Sequence, residues 1–136
     1  MTPKEFLSYF PDYCIQVFDD VETRKDATLA KCNKPSAFKG EQLEQWNKEG
    51  RGIFFSVNKF PAGERKAVFC QGINAWFAES DSLPLDEQWK RIVACPLQPS
   101  FVARSKKSYH TYFSAKGGTK ENFKRIFLKM LLLFSG

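Results

Sequence analysis

Residues 73–81 read Ile73-Asn74-Ala75-Trp76-Phe77-Ala78-Glu79-Ser80-Asp81, an apolar run that closes on two carboxylates. Ile73–Glu79 has the content of a buried strand, whereas Leu85, Trp89, Ile92 and Val93 recur at helical spacing over Leu85–Ala94. A strand that hands over to a helix sets an interleaved pattern, and the rest of the chain extends it. Phe101–Arg104 and His110–Ser114 read as two short strands around the basic turn Ser105, Lys106, Lys107. Thr119 then caps a helix in which Phe123, Ile126, Phe127, Met130, Leu131 and Phe134 form an apolar stripe.

Upstream, Lys4–Phe10 reads as a short opening helix, Tyr13–Phe18 as a strand and the charged segment Asp19–Lys39 as a loop. Glu41–Glu49 predicts a helix with Leu43 and Trp46 on one face, stopped by Gly50; Ile53–Val57 is a further strand, ending in Asn58. The polar stretch Lys59–Lys66, with Pro61 and Gly63, has hairpin-loop chemistry, after which a strand resumes at Ala67–Phe69. The expected class is α+β, a mixed sheet with helices packed on one face. With 136 residues and no internal linker or repeat, the expectation is one domain over 1–136.

Composition excludes several classes. The longest apolar run, Met130–Phe134, is far short of the roughly 18 residues a membrane span needs, and Lys4 and Glu5 interrupt the place of a signal peptide. An intracellular, cytoplasmic protein without a membrane partner is expected. Cys14, Cys32, Cys70 and Cys95 are scattered without a CxxC pair and His110 is the one histidine, so no zinc is expected and the thiols read as reduced and mostly buried. The net charge of +6 is unevenly placed: Lys90–Gly136 holds ten basic residues and one acid, +9, which leaves −3 for Met1–Trp89. A basic half beside an acidic half suits a polyanion on one side and a cation on the other, or a merely solvated basic surface.

Two short patterns carry chemistry. Side chains two apart on a strand share a face, so Glu79 and Asp81 would converge on one point and repel unless a divalent cation neutralises them. Mg2+ or Mn2+ shared with substrate phosphates fits that donor pair, and a solvated strand end is the bland reading. In Arg104-Ser105-Lys106-Lys107-Ser108-Tyr109-His110-Thr111-Tyr112, a strand beginning near Ser108 puts Ser108, His110 and Tyr112 on one face beside two lysines. His110 and Ser108 can hydrogen-bond a triphosphate oxygen and Lys106 or Lys107 can supply charge; the bland reading is a hydrogen-bonded, partly buried histidine. No Walker-type glycine loop, HExxH, GxSxG or GxGxxG occurs.

In order and spacing, Glu79-x-Asp81 and Ser108-x-His110 resemble the primase-polymerase branch of the archaeal and eukaryotic primase superfamily, whose first motif is two acids one residue apart and whose second is Ser-x-His. Gly52–Asn58 (GIFFSVN) resembles the Gly-aromatic-Val-Asn strand of plasmid- and phage-type members, and Pro99-Ser100-Phe101-Val102 precedes the Ser-x-His strand. The likeness runs from about Phe6 to Phe134. It implies template-directed nucleotidyl transfer in DNA replication with two divalent metals, Mg2+ or Mn2+, one lowering the pKa of the attacking hydroxyl and the other stabilising pyrophosphate. Glu79 and Asp81 would be metal ligands and catalytic, as would His110 on the nucleotide phosphates, with Ser108 in support. Asn58, Arg65, Lys106 and Lys107 would contact nucleotide, and Arg104, Lys106 and Lys107 nucleic acid. Nucleoside triphosphates, a single-stranded DNA template and a helicase or accessory domain are the implied partners.

One departure stands out. The family has a third acid on a later strand, whereas after Asp81 the acids here are Asp86, Glu87 and Glu121, each on an expected helix. Truncation before the last catalytic strand, or natural loss, would account for it, and either way the chain alone is expected to be weakly active or inactive. A non-catalytic single-strand-binding module and a metal-dependent nuclease are the alternatives.

Overall fold

The computed structural model describes residues 1–135, with side-chain surroundings through 133. The class is α+β: among the described residues there are four α-helices and two antiparallel sheets, in two compact units, 1–72 and 73–136. The expected mixed sheet is thus two separate antiparallel ones among the described residues. Phe134, expected on the apolar stripe, lies outside the described side chains.

In the 1–72 unit, α1 (Pro3–Leu7) starts at a capping box in which the Thr2 hydroxyl accepts from the Glu5 amide and the Glu5 carboxylate accepts from the Thr2 amide. β1 (Ile15–Phe18) pairs antiparallel with β2 (Gly52–Phe55), Ile15 opposite Phe55, and α2 (Gln42–Lys48) lies between them in sequence. Phe6, Phe10 and Phe55 form an aromatic cluster with ring centroids 5.1–5.7 Å apart, and Cys14, Ile15, Val17 and Cys32 are buried. Cys14, Cys32 and Cys95 are buried free cysteines and Cys70 is a half-buried one; burial pushes the Cys32 thiol up to about 11, reinforced by Cys14 beside it. Asp19 sits between Arg24 and Arg51, at 2.9 and 3.3 Å, and this ion cluster ties the loop after β1 to the start of β2.

Ala67–Phe69 departs from expectation: it is a single turn of 3-10 helix, not a strand. Pairing of the returning chain is made further on, where the Lys59 amide donates to the Gly72 carbonyl and the Gln71 amide to the Lys59 carbonyl. Three apolar residues are too few for periodicity to separate a strand from a turn.

In the 73–136 unit, β3 (Ala75–Glu79), α3 (Leu85–Ala94), β4 (Phe101–Arg104), β5 (Tyr109–Ser114) and α4 (Lys120–Ser135) follow in order. The sheet order is β3-β5-β4, with β5 antiparallel to both neighbours. β3 and β4 therefore run the same way on either side of β5, joined through α3: a split β-α-β unit. Thr119 caps α4, its hydroxyl accepting from the Asn122 amide while the Asn122 side chain accepts from the Thr119 amide. Trp76, Ala78, Ile92, Cys95, Phe113 and Met130 form the core, with Phe123, Ile126 and Phe127 of α4 against it. Trp76 stacks on Phe123 and donates from its indole to the Phe123 carbonyl at 3.1 Å. Both helices thus pack on the sheet face that holds Trp76, Ala78 and Phe113, and alternation puts Phe77, Glu79, His110 and Tyr112 on the other.

Candidate functional site

β3 and β5 pair in a register that sets Glu79 directly opposite His110, and Ala103 of β4 lies on the far side of His110. The Glu79 Oε2 to His110 Nε2 distance is 3.2 Å, with side chains 46% and 32% exposed. Ser108 Oγ lies 3.1 Å from the same Nε2. The charge partner and the hydroxyl thus meet one ring nitrogen within reach of solvent.

The turn between β4 and β5 explains why. The Ser105 hydroxyl accepts from the amides of Ser108 (3.0 Å) and Lys107 (3.4 Å) and donates to the Ser108 carbonyl (3.0 Å). None of residues 105–108 has positive φ, so a primed two-residue turn is not used and the serine side chain takes the amides instead. The Ser105 and Ser108 hydroxyls lie 3.2 Å apart, and either can be the donor. An ionised Glu79 carboxylate can only accept, so its contact with His110 is a hydrogen bond when Nε2 carries a proton, while the Ser108 hydroxyl can take either role toward that nitrogen.

Gln88 is the residue that sequence reading missed. Buried on α3, it donates from Nε2 to the carbonyls of Leu83 (2.6 Å) and Lys107 (3.0 Å), and its Oε1 accepts from the Tyr109 amide (2.9 Å). It pins the helix to the β4–β5 turn and so holds Ser108 and His110 in place. The available signal was a polar residue at helical spacing between Leu85 and Ile92, on the buried face.

Tyr112 is buried beside Phe77 on the sheet face of Glu79 and His110. Burial raises its phenol above the usual range, and the Glu79 charge adds to this. It stays a neutral donor at physiological pH.

Asp81 is placed differently from the expectation. β3 ends at Glu79, and Asp81 lies exposed in the turn toward Pro84 and α3. The same-face argument needs strand geometry through position 81 and lapses there. Among the described residues no three His, Cys, Asp or Glu side chains gather as a metal cluster. Glu79 and Asp81 each carry hard carboxylate oxygens of the kind Mg2+ or Mn2+ takes, one at the end of β3 and the other in the turn after it. Asp86 and Glu87 lie on α3 and Glu121 on α4, as expected, and Glu87 pairs with Lys90 and Arg91.

Arg104 is exposed at the end of β4 opposite Tyr109, and Lys106 and Lys107 are exposed at the turn tip, one and two residues before Ser108. Asn58 and Arg65 belong to the 1–72 unit: Asn58 is buried after β2, and Arg65 donates to the Gln16 side chain at 2.6 Å. A cavity of about 20 Å3 between the end of β3 and α3, lined by Ala78, Glu79, Leu83 and Arg91 among others, has room for one water and not for a nucleotide. No described helix is long and apolar enough to cross a membrane. Comparison of the chain with protein-family models, with curated proteins and with solved structures found no match to any of them.

Proposed function

We propose that the 73–136 unit carries the nucleotide site of a primase-polymerase-type nucleotidyltransferase, taking nucleoside triphosphates with Mg2+ or Mn2+ on a single-stranded DNA template. The observation that supports this reading is the Glu79–His110 cross-strand pair with Ser108 on the same ring nitrogen. β3 and β5 are neighbours in the sheet, so a carboxylate and an imidazole, a group able to hydrogen-bond phosphate, sit side by side.

A divalent cation held by Glu79 and Asp81 would neutralise triphosphate charge and acidify the attacking hydroxyl. His110 would turn its Nε2 proton from Glu79 to a phosphate oxygen as the carboxylate takes up a ligand role, and Ser108 would keep the ring oriented. Lys106 and Lys107 would add charge at the phosphates. In the reaction a 3′ oxygen bonds to the α-phosphorus, the bond to the bridging oxygen breaks, pyrophosphate leaves and the hydroxyl proton passes to water. With Asp86, Glu87 and Glu121 on helices, this chain offers two carboxylates and is expected to synthesise weakly or not at all.

A second reading, a single-strand-binding module without catalysis, draws on the position of Asp81 off the strand. Calorimetry of triphosphate binding with and without Mn2+ separates the two. Metal-dependent binding lost in Glu79→Ala and in His110→Ala supports the nucleotide site; binding that is undetectable, or unaffected by either change, overturns it.

A further inference from the structure

Trp89 stands on the outer side of α3, 46% exposed, although it is the kind of side chain that folding normally covers. Its ring lies 5.3 Å from that of Tyr109, inclined at 43°. Tyr109 packs against the core cluster, so the pair is held from below while Trp89 keeps an open face. Arg104 is the cross-strand partner of Tyr109. Gln88, the residue before Trp89, is bonded to the Lys107 carbonyl and the Tyr109 amide, which fixes this turn of helix against the basic turn.

We infer that Trp89 and Tyr109 form a stacking platform for an unpaired base of single-stranded nucleic acid, with Arg104, Lys106 and Lys107 holding the flanking phosphates. The charge argues for this occupant over a protein one. Exposed Arg104 stands opposite Tyr109 across the strands and exposed Lys106 and Lys107 lie on the turn that leads into it, whereas Glu87 on α3 is already paired to Lys90 and Arg91 and Asp86 is the one acid left at helical spacing from Trp89. Aromatic faces with flanking cations bind single strands with little sequence preference, because every base has a π face and every nucleotide a phosphate. The inference goes beyond the proposed nucleotide site: Tyr109 lies on the helix-bearing face of the sheet and Glu79 and His110 on the other, so the platform is independent of the metal chemistry.

The test is fluorescence anisotropy of a labelled oligothymidylate in EDTA with wild type, Trp89→Ala and Trp89→Phe, repeated with an oligonucleotide carrying abasic spacers. Trp89→Ala should weaken binding of oligothymidylate by about tenfold, the loss of one stacked base, and Trp89→Phe should retain most of it. The abasic strand should bind wild type as weakly as oligothymidylate binds Trp89→Ala. Wild-type affinity in Trp89→Ala, equal binding of abasic and normal strands, or no binding by wild type each overturns the platform. Mn2+-dependent triphosphate binding, measured on the same Trp89→Ala sample, should be unchanged and reports separately on the nucleotide site.

Discussion

Glu79 and His110 are direct partners across β3 and β5, their Oε2 and Nε2 atoms 3.2 Å apart and both side chains partly exposed. A pair this open to water contributes only about 0–1 kcal/mol to folding. Residues so placed can be removed with little effect on stability, which makes them clean probes of function.

The first prediction uses that separation. Glu79→Gln and His110→Gln should each keep the wild-type thermal midpoint within a few degrees, the shift expected for a loss of at most about 1 kcal/mol. Each should also lose Mn2+-dependent triphosphate binding by at least about tenfold, as expected for a charge-assisted contact worth roughly 1.5–3 kcal/mol. Unfolding of either variant, followed by circular dichroism, would show that the pair is structural instead.

Gln88 should behave in the opposite way. Gln88→Leu keeps the volume but removes the partner of the Tyr109 amide and of the Lys107 and Leu83 carbonyls at a partly buried place, at a combined cost of about 1–3 kcal/mol. Urea unfolding should show this loss. Hydrogen exchange should show earlier opening at the Tyr109 amide than at Thr111 or Phe113. A stability change below about 0.5 kcal/mol, the scale of an ordinary surface substitution, would mean that the three bonds are dispensable.

How much of this was legible in advance depended on which force set each feature. Leu85–Ala94 and Phe101–Arg104 stand where periodicity and residue type place them, because apolar spacing drives both. Ala67–Phe69 was misread because its backbone follows a pairing made at Lys59 and Gly72, which no three-residue pattern encodes. At the site, the Ser108 hydroxyl meets the His110 ring as their spacing suggested, whereas Asp81 falls beyond the strand because β3 stops two residues earlier. Gln88 stayed hidden since two of its three partners, Lys107 and Tyr109, are distant in sequence.

Asp19 gives the protein an acid-sensitive joint. Burial acts to raise its carboxyl, but the Val21 amide, the Arg24 hydrogen bond and the charges of Arg24 and Arg51 outweigh this and hold it below the usual carboxylate range. A carboxyl whose folded pKa lies under its unfolded value of about 3.9 stabilises fully above that value and loses the contribution as pH falls through the folded pKa. Thermal melts between pH 7 and 2 should show the wild type losing stability below about pH 4, in the range where carboxylates protonate. Asp19→Asn should be less stable at pH 7 and flatter over the acid limb. Parallel curves for the two proteins would remove Asp19 from the acid transition.

The basic turn and the basic helix make different predictions about salt. Lys106 and Lys107 flank the aromatic pair, whereas Lys124 and Lys129 are exposed on α4. Each phosphate contact on a single strand releases counterion, so the slope of log affinity against log salt changes by about 0.7 per contact. Lys106→Ala and Lys107→Ala should therefore each flatten the slope by about that amount and weaken all sequences alike. Lys124→Ala and Lys129→Ala should leave it unchanged, since both stand on α4 and not on the turn that leads into Tyr109. Were the α4 lysines to flatten the slope and the turn lysines not, the strand would run along the helix, and the site at Trp89 would lose the electrostatic half of its argument.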